Sequence, residues 1–542
     1  MLSPFSPVPY TTGHPPDRLL VDRATTRTLQ RHNASSGALG AKALPPRKLP
    51  LDFLLLQYAR TGEREIGRAV ARTLSRLARS GVHDALGGGF HRGSYDPPWT
   101  LPDFGKTLLD NALLATTYLH AWQVLDRPDF GRVATDTLSA IQRELALPDG
   151  GFRAGAINGA DNLLQKTLAV YHYTWTQEEL DALLEPSQAR LVSLWWGVQD
   201  GTTLTGPWGG RHVLRVRHSL EALAGTVNAE PGDVVRSLDR ARFKMLTSRD
   251  DRPGPSSSRA FLAAPNGLAV SAFAIAALRL EAGMGAKSPW LQQATEAANA
   301  LMDKLWNGRR LLHAQPRGAA PLRGSMADYA CVQGAMLDLF EASGRLRWLD
   351  RAVELERAHR EQLDDEPIPA MRIGVPRADS PALAAEPPPD DLDGGAIMAR
   401  TLLRLATLTG QIEYRERADR LLRPRAKELL DGAIGKPELA LAFGWTLLEQ
   451  RVLSVVHDGD EDRAASLIAA AMKSAQPWMT VIQAQRGADL NRKRSRLPML
   501  EHRDTPPGVT RAWLCRGHAC PDPTSSPEEL SKILADLERV AS

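Results

Sequence analysis

The stretch that organises the rest of the chain is GVHDALGGGFHRGSYDPPWTLPDFGKTLLDNALLATTYLHAW, residues 81–122. Its three consecutive glycines, Gly87 to Gly89, predict a tight loop, because a residue without a Cβ adopts positive φ and lets other groups approach its backbone. Prolines stiffen the following segment, and Asp103 is a suitable N-cap. From Phe104 onward, apolar residues recur at helical spacing. The stretch therefore predicts a polar loop directly before an amphipathic helix.

Length and composition indicate a globular protein. The chain has 542 residues, and 43% of them are hydrophobic, which is enough for a large core. Its 67 Lys and Arg nearly balance 63 Asp and Glu, so the charge gives no reason to expect nucleic acid or a membrane as a partner. The sequence shows no signal peptide pattern and no uninterrupted run of about 18 apolar residues. Three cysteines are too few for a disulfide framework, and we expect a cytoplasmic protein.

Helical hairpins dominate the middle of the chain. Four segments share an apolar helix end, a polar turn and an Arg-rich helix start: 54–70, 117–134, 337–353 and 402–418. Repeated hairpins of this kind stack and bury one another. The pattern predicts a mainly α protein, built either as a closed ring of hairpins or as an open helical solenoid.

The two ends of the chain differ from the middle. Residues 1–46 are rich in Pro, Ser, Thr, Gly and Arg without a sustained period, which predicts a poorly ordered leader. Residues 451–458, 479–485 and 510–517 have the pattern of buried strands, with a helix between the first two. We therefore expect a small α/β element over 451–520, followed by a closing C-terminal helix over 521–542.

The loop-and-helix stretch resembles the hallmark segment of a known family, the one that includes spermatogenesis-associated protein 20 and bacterial YyaL-type proteins. The matching residues are Gly81, Asp84, Gly87 to Arg92, Ser94, Asp96, Trp99, Pro102, Phe104, Lys106, Leu108, Asp110, Asn111 and Ala112. Segments 326–341 and 512–533 also resemble the family. The resemblance implies a thioredoxin-like domain joined to an (α/α)6 toroid, like the toroids of six-hairpin glycosidases and sugar 2-epimerases. It thus favours the closed ring, whose first part spans 47–450.

The expected thioredoxin-like domain does not fit into this sequence. Residues 38–55 resemble the junction that follows that domain in the family. The residues before them are fewer than the roughly 100 that such a domain needs, and they lack a paired-cysteine motif. We expect a divergent member without the domain, and a separate thioredoxin-like protein is a candidate partner.

Carbohydrate chemistry, which the resemblance implies, requires acids or histidines that face one mouth of the toroid. An inverting glycosidase uses two carboxyl groups roughly 6.5–9.5 Å apart, and an epimerase uses a proton-abstracting group, often histidine. The candidate catalytic residues are Asp84, His91, Asp96, Asp110, Asp328 and Asp393. The candidate substrate-binding residues are Arg92, Trp99, Asn111, Tyr329 and Trp175. A helix cap or a solvated loop is the alternative role for each acid, and core packing is the alternative for each Trp.

The chain departs from the family pattern where protons would be moved. Asp103 and Gly105 replace the family's His and Glu, segment 252–259 loses the family's His and paired Asp, and segment 393–398 departs from the family pattern after Asp393. We therefore predict a sugar hydrolase-like or epimerase-like toroid with a degenerate or altered site, which takes a small-molecule or oligosaccharide ligand. A divergent enzyme with relocated acids is one alternative, and a non-catalytic module that binds a glycan, metabolite or protein is another.

Cofactor and metal motifs are missing from the sequence. Cys515 and Cys520 have no second ligand pair of the kind that zinc sites use. Neither a phosphate-binding loop nor a nucleophile elbow is present. We expect neither a cofactor nor a metal.

Overall fold

The computed structural model describes residues 18–33, 37–40, 44–155, 163–198, 204, 208–315, 321–364, 392–474, 476–517 and 520–539. Its helices are α1 (Arg18–Leu29), α2 (Leu51–Thr61), α3 (Arg64–Ala78), α4 (Leu108–Leu125), α5 (Pro128–Leu145), α6 (Leu163–Tyr173), α7 (Gln177–Leu183), α8 (Pro186–Trp196), α9 (Leu220–Val227), α10 (Pro231–Asp250), α11 (Ala263–Leu280), α12 (Pro289–Leu305), α13 (Met326–Ser343), α14 (Leu346–Asp364), α15 (Gly394–Thr409), α16 (Ile412–Leu422), α17 (Pro437–Thr446), α18 (Glu461–Met472), α19 (Ala488–Arg494) and α20 (Pro527–Arg539). Its strands are β1 (Gly93–Ser94), β2 (Pro102–Asp103), β3 (Thr174–Trp175), β4 (His212–Val213), β5 (Arg451–His457), β6 (Thr480–Gln485) and β7 (Arg511–Arg516).

Six inner helices form a closed ring. Helices α2, α4, α11, α13, α15 and α17 each pack against the next, and α17 packs against α2. These helices are apolar on most faces, as expected for helices that contact neighbours on several sides. By length and composition α11 is apolar enough to cross a membrane, but 83% of it is buried, as in a core helix. The closed (α/α)6 toroid is therefore confirmed, and the open solenoid is excluded.

Outer helices complete the hairpins. Helices α3, α5, α12, α14 and α16 pack on the inner helices that precede them. The sixth inner helix, α17, contacts α1, which lies in the segment predicted to be a poorly ordered leader. That prediction was wrong for Arg18–Leu29: Val21, Ala24, Thr25 and Thr28 lie on one buried helical face. The hydroxyl of Thr28 also accepts a hydrogen bond from the Ala433 amide, 2.9 Å away. A tertiary contact more than 400 residues away thus orders the segment.

A small helical layer lies between the second and third hairpins. It contains α6 to α10 and the paired strands β3 and β4, and it has its own apolar core around Trp175 and Leu180. The short pair β1 and β2 precedes α4. This layer places α10 beside the glycine loop.

The C-terminal region contains the small α/β element that the sequence predicted. Strand β5 pairs in parallel with β6 and antiparallel with β7, and α18 packs on β5. Cys515 and Cys520 form a disulfide at the end of β7, a bridge that the cysteine count did not predict. The last helix, α20, packs on α18 and not in the ring, because α1 already serves as the sixth outer helix. Leu530 and Leu534 share a core with the sheet.

The α/β element closes one end of the ring. The amide of Gln123, at the end of α4, donates to the carbonyl oxygens of Met472 and Ser474 at 3.0 and 2.6 Å. Arg279, near the end of α11, donates to the carbonyl oxygen of Pro477. The loop after α18 therefore covers the C-terminal end of the inner helices, and their N-termini surround the other end.

Candidate functional site

The triple-glycine bend packs against an outer helix. A Cβ on Gly88 would lie 2.6 Å from the carbonyl oxygen of Asp136, and one on Gly89 would lie 3.3 Å from Ala140; both residues belong to α5. Gly88 and Gly89 have φ of 75°, which favours glycine. A Cβ on Gly89 would also lie 2.7 Å from Asn111 Oδ1 on α4, so the bend is packed closely between α5 and this side chain.

A buried ion network holds this bend in place. We call Asp84, Lys106, Glu144 and Arg249 the loop cluster. Asp84 lies 2.6 Å from Lys106 Nζ and 2.8 Å from Arg249 Nη1, and Lys106 also lies 3.0 Å from Glu144. Burial would raise the pKa of Asp84, but Arg249 and Lys106 hold it well below its usual range. The carboxylate is ionised and fully paired, so it is not available for proton transfer.

His91 lies beside the loop cluster but is enclosed. Its ring makes edge contacts with Phe104 and Tyr173, with centroids 5.1 and 4.6 Å apart. Burial, reinforced by Lys106, lowers the pKa of His91 to about 3. The cavity that His91 shares with Asp84 and Phe104 is about the size of one water molecule. A sugar ring does not fit there.

The other candidates in the first stretch also have structural roles. The Asp96 carboxylate accepts from the amide of Leu101 at 2.7 Å and fixes the turn between β1 and β2. Trp99 is buried with a φ of 58°. Arg92 forms an ion pair with Asp103 at 3.1 Å. These contacts hold the segment between β1 and β2 in place.

Three further binding candidates are used as buried anchors. The Asn111 side chain accepts from the Phe90 amide at 2.7 Å and donates to the Phe90 carbonyl oxygen at 3.0 Å. The Tyr329 hydroxyl accepts from the amide of Leu311 at 2.9 Å. Trp175 is 1% exposed and packs in the core of the additional layer. These contacts hold loops in place.

Asp328 and Asp393 lie at the N-terminal ends of neighbouring inner helices. Asp328 completes a capping box with the N-cap Ser325 of α13 and lies 2.9 Å from His313 Nδ1. Asp393 caps α15 and lies 2.6 Å from Arg425. The structure places both residues at the open end of the ring, and each has its own partner.

Asp110 belongs to the same end, at the start of α4. Its carboxylate lies 2.5 Å from Arg47 Nε and accepts from the Thr107 hydroxyl at 2.5 Å. Burial raises the pKa of Asp110, although Arg47 opposes the shift. Of the six candidate catalytic residues, the structure thus groups Asp84 with His91 outside the ring and puts three acids on separate helix N-termini.

A second group of ionisable residues, which the sequence analysis missed, lies on four of the inner helices. We call Asp52, Cys331, Arg400 and Glu438 the axial cluster. Helices α2 and α15 are not neighbours in the ring, yet the charges of Asp52 and Arg400 act on each other's pKa. Cys331 on α13 and Glu438 on α17 also lie on helices that are not neighbours, and Glu438 contributes to the raised pKa of Cys331. These electrostatic effects between helices are the reason for grouping the four residues.

Two members of the axial cluster already have partners. Asp52 lies 2.7 Å from His120 Nδ1 and accepts from the Thr117 hydroxyl at 2.7 Å. Burial would raise the pKa of Asp52, but the bonds from His120 and Thr117 lower it. The Cys331 thiol is buried, and burial raises its pKa above its usual range, which makes it a poor nucleophile.

Arg400 and Glu438 differ from these two. Within the described ranges, no hydrogen bond or ion pair joins the Arg400 guanidinium to the protein, and burial followed by Arg404 lowers its pKa. The Glu438 carboxyl likewise has no direct side-chain partner in the part of the chain that the structure describes. Burial raises the pKa of Glu438, Lys48 opposes the shift, and Asp393 adds to it. Within the described residues, the Arg400 guanidinium and the Glu438 carboxyl thus have no ion-pair partner, and the Glu438 carboxyl accepts only from its own backbone amide.

A closed ion set lies farther along α15. Arg404 lies 2.7 Å from Asp338 and 2.7 Å from Glu341. These three charges compensate one another. Arg400, which precedes Arg404 on α15, has no such ion pair within the described residues. The sequence signal was a charged residue inside an apolar inner helix, as in the segments 50–56 and 396–405. Among the described residues, no group of three or more His, Cys, Asp or Glu is placed to hold a metal.

Comparisons with known proteins agree with the sequence motifs. No family model matches the chain. Spermatogenesis-associated protein 20 from Homo sapiens is 28% identical over 497 residues, which cover 85% of this chain and 62% of that protein. An uncharacterised protein from Caenorhabditis elegans is 23% identical over 559 residues, 94% of this chain and 73% of that protein. The chain thus spans about 62% of the length of the first of these relatives.

Among solved structures, the GH76A alpha-1,6-mannanase from Salegentibacter sp. HEL1_6 is similar, with 12% identity and a TM-score of 0.43. The match covers 79% of this chain and 98% of the mannanase. The likeness is too distant to carry an argument about function, and the ring is established by the packing of its own helices. The chain is similar in sequence to spermatogenesis-associated protein 20, the relative that its motifs indicated.

Proposed function

We propose that the chain binds a sugar inside its helical ring, at the axial cluster, and that the hydrolase-like or epimerase-like site expected from the sequence is altered. The proposal rests on two charged residues of inner helices, Arg400 on α15 and Glu438 at the start of α17, for which the described part of the chain shows no ion pair. Buried polar groups in proteins are nearly always hydrogen-bonded, so unpaired ones indicate a bound solvent or ligand molecule.

The chemistry of the axial cluster suits a hydroxyl-rich ligand. Arg400 offers up to five N–H donors, while Asp52 and a protonated or ionised Glu438 offer acceptors or a donor. Trp478 lies beyond them at the closed end, with its ring centroid 5.4 Å from that of His120. Sugars use such mixed polar contacts together with an aromatic face. The sequence resemblance to sugar-handling toroids supports the same ligand class.

Hydrolysis by two carboxyl groups is less well supported. That mechanism needs a proton donor and a base roughly 6.5–9.5 Å apart, each free to exchange a proton. Asp110, Asp328 and Asp393 are each held by a basic partner, respectively Arg47, His313 and Arg425. Binding without efficient turnover is therefore the function that we favour.

Isothermal titration calorimetry with a broad panel of mono- and oligosaccharides tests this proposal. We expect one sugar class to bind saturably, and Glu438→Gln to weaken that binding about tenfold, because one charged or strong hydrogen bond is lost. Glu354→Gln is a matched control, since Glu354 pairs with Arg351 on the surface. The absence of saturable binding across the panel would contradict the proposal. So would a loss of binding in His91→Ala with unchanged stability, because His91 lies outside the ring.

A second candidate is proton transfer by Glu438. Its raised pKa favours the protonated form, which is the form that a general acid requires. In that case the protein should turn over a member of the sugar panel, and Glu438→Gln should reduce kcat at least 100-fold while the sugar still binds. Unchanged kcat in Glu438→Gln would exclude this candidate. The separate thioredoxin-like partner stays a prediction of the sequence.

A further inference from the structure

The disulfide between Cys515 and Cys520 lies outside the ring, at the end of the edge strand β7. Its two residues differ in accessibility, since Cys515 is only 1% exposed whereas Cys520 is exposed. A thiolate that comes from solvent therefore approaches the bridge from the side of Cys520. Attack on that sulfur releases Cys515 as the leaving group, so the surroundings of Cys515 determine how readily the bridge opens.

A guanidinium lies beside both sulfur atoms. Arg503 Nη2 is 3.3 Å from Cys515 Sγ and 3.1 Å from Cys520 Sγ. The guanidinium carbon of Arg503 also lies 5.8 Å from the ring centroid of Trp513, which is buried in the same strand. Within the described ranges, no Asp or Glu forms an ion pair with Arg503. A disulfide sulfur is a weak, uncharged acceptor, so this cation is poorly compensated while the bridge is closed.

The opening of the bridge gives Arg503 a better partner. A Cys515 thiolate carries a full negative charge on the sulfur that Arg503 already contacts. A neighbouring cation lowers the pKa of a thiol, and a thiol of lower pKa is a faster leaving group. Burial alone has the opposite effect, as at Cys331, where it raises the pKa of the thiol above its usual range. The position of Arg503 thus favours the release of Cys515.

The segment that carries the bridge is held in place without it. Ala512 and Thr524, which flank the two cysteines in sequence, exchange backbone hydrogen bonds of 2.8 and 3.0 Å. Cys515 itself is paired with Val452 in the antiparallel ladder between β5 and β7. The two cysteines therefore stay in one closed segment when the bond between their sulfurs breaks, and the bond can form again.

We propose that Cys515 and Cys520 form a thiol-exchange site, which a dithiol opens reversibly and whose leaving thiolate is stabilised by Arg503. One thiolate of the dithiol attacks Cys520 Sγ, the bond between the two cysteine sulfurs breaks, and Cys515 leaves as a thiolate beside Arg503. The second thiolate of the dithiol then attacks the dithiol sulfur of the mixed disulfide and releases Cys520. The dithiol is oxidised to a disulfide, the cysteine pair gains two electrons, and the two protons of the dithiol pass through solvent to the cysteines.

The rate of reduction by dithiothreitol tests this proposal on the full chain. The protein is oxidised in air, mixed with excess dithiothreitol, quenched by alkylation at set times and analysed by mass spectrometry of the peptides that contain the two cysteines. We expect the folded protein to be reduced at least as fast as the same chain unfolded in urea, because Arg503 assists the reaction only in the folded state. Reduction of the folded Arg503→Gln variant should be about tenfold slower, since the Cys515 thiolate then has no cation beside it.

Two further variants show whether the effect belongs to the charge of Arg503. Arg503→Lys keeps a cation at this position and should slow reduction less than Arg503→Gln does. Arg492→Gln removes an exposed arginine of the same α/β element and should leave the rate unchanged. In urea, all variants should be reduced at the wild-type rate. Thermal unfolding of the oxidised proteins identifies a variant that misfolds, and the comparison of the folded with the unfolded wild type then carries the test.

Each outcome either supports or overturns the proposal. Fast reduction of the folded wild type, slowed in Arg503→Gln and partly restored in Arg503→Lys, supports it. Reduction of the folded wild type that is slower than in urea overturns it, because the bridge is then a protected structural one. Equal rates in the folded wild type and Arg503→Gln, equal slowing in both Arg503 variants, or two free thiols in the air-oxidised protein overturn it as well. The result does not depend on the sugar titrations, which test the proposed function separately.

Discussion

The loop cluster and the axial cluster both contain buried charges, but they differ in how completely those charges are paired. In the loop cluster, Asp84 contacts both Lys106 and Arg249, and Lys106 also contacts Glu144. In the axial cluster, Asp52 has partners, whereas Arg400 and Glu438 have no ion pair within the described ranges. The hallmark sequence motif contributes to the first group and not to the second.

This difference separates a structural role from a binding role. A fully compensated ion network holds the backbone in one conformation, and the removal of one member leaves an uncompensated buried charge. The neutralisation of an uncompensated charge costs the protein little stability, and such a charge can bind an incoming ligand. We therefore expect substitutions in the loop cluster to change stability, and substitutions in the axial cluster to change binding.

The largest effect is expected for Asp84→Ala. The substitution leaves Lys106 and Arg249 facing each other without their shared carboxylate, and it should lower the free energy of unfolding by about 3–5 kcal/mol. Urea unfolding followed by circular dichroism measures this change. Asp149→Ala, which removes an exposed partner of Lys304, should cost about 0.5 kcal/mol or less. A loss below about 1 kcal/mol in Asp84→Ala, together with lost sugar binding, would make the loop cluster the site.

A smaller effect is expected for Gly88→Ala. The new Cβ would lie 2.6 Å from the Asp136 carbonyl oxygen, and alanine is also strained at a φ of 75°. Gly62→Ala is the matched control, because Gly62 has a φ of 70° and open space around it. Gly62→Ala should cost about 1 kcal/mol, and Gly88→Ala at least about 1 kcal/mol more. Equal costs in the same urea experiment would show that the bend is not held against α5.

The smallest effect is a pH dependence that belongs to Glu438. Because its folded pKa is raised, the stability from its proton is fully present below the pKa of an unfolded glutamic acid and is lost as pH rises through the folded pKa. Glu438→Gln cannot ionise, so its melting temperature relative to the wild type should increase from acid to neutral pH. This gain should be well below the cost of losing Asp84. A difference that stays constant with pH would show that Glu438 is not buried as described.

Much of the fold could be predicted because hairpin repeats leave a local pattern. The apolar inner helices, the Arg-rich outer helices and the strands of the α/β element were all visible as periodicity. The role of α1 was not visible, because the composition of residues 1–46 obscured a single buried helical face that includes Val21 and Ala24. The packing of α20 on α18 was equally invisible, because nothing local distinguishes a helix that joins the ring from one that covers a sheet.

The candidate site was harder to predict, since an acid at the start of a helix has the same sequence signature whether it caps the helix or transfers protons. A helix cap was the alternative role considered for each acid, but the bonds of Asp328 to His313 and of Asp393 to Arg425 come from neighbouring segments that no local pattern joins to them. Arg400 and Glu438 could not be singled out, because an isolated charge in an apolar helix is also found on solvated faces.

The sequence by itself determined the helical hairpins, the tight glycine loop and the family, because these depend on local spacing and on the residue types at each position. Only the tertiary structure decided which helices close the ring and which charges are compensated. The physical reason is that pairing and burial are properties of side chains from distant segments: Asp52 and Arg400 are 348 positions apart in the sequence, yet each acts on the charge of the other.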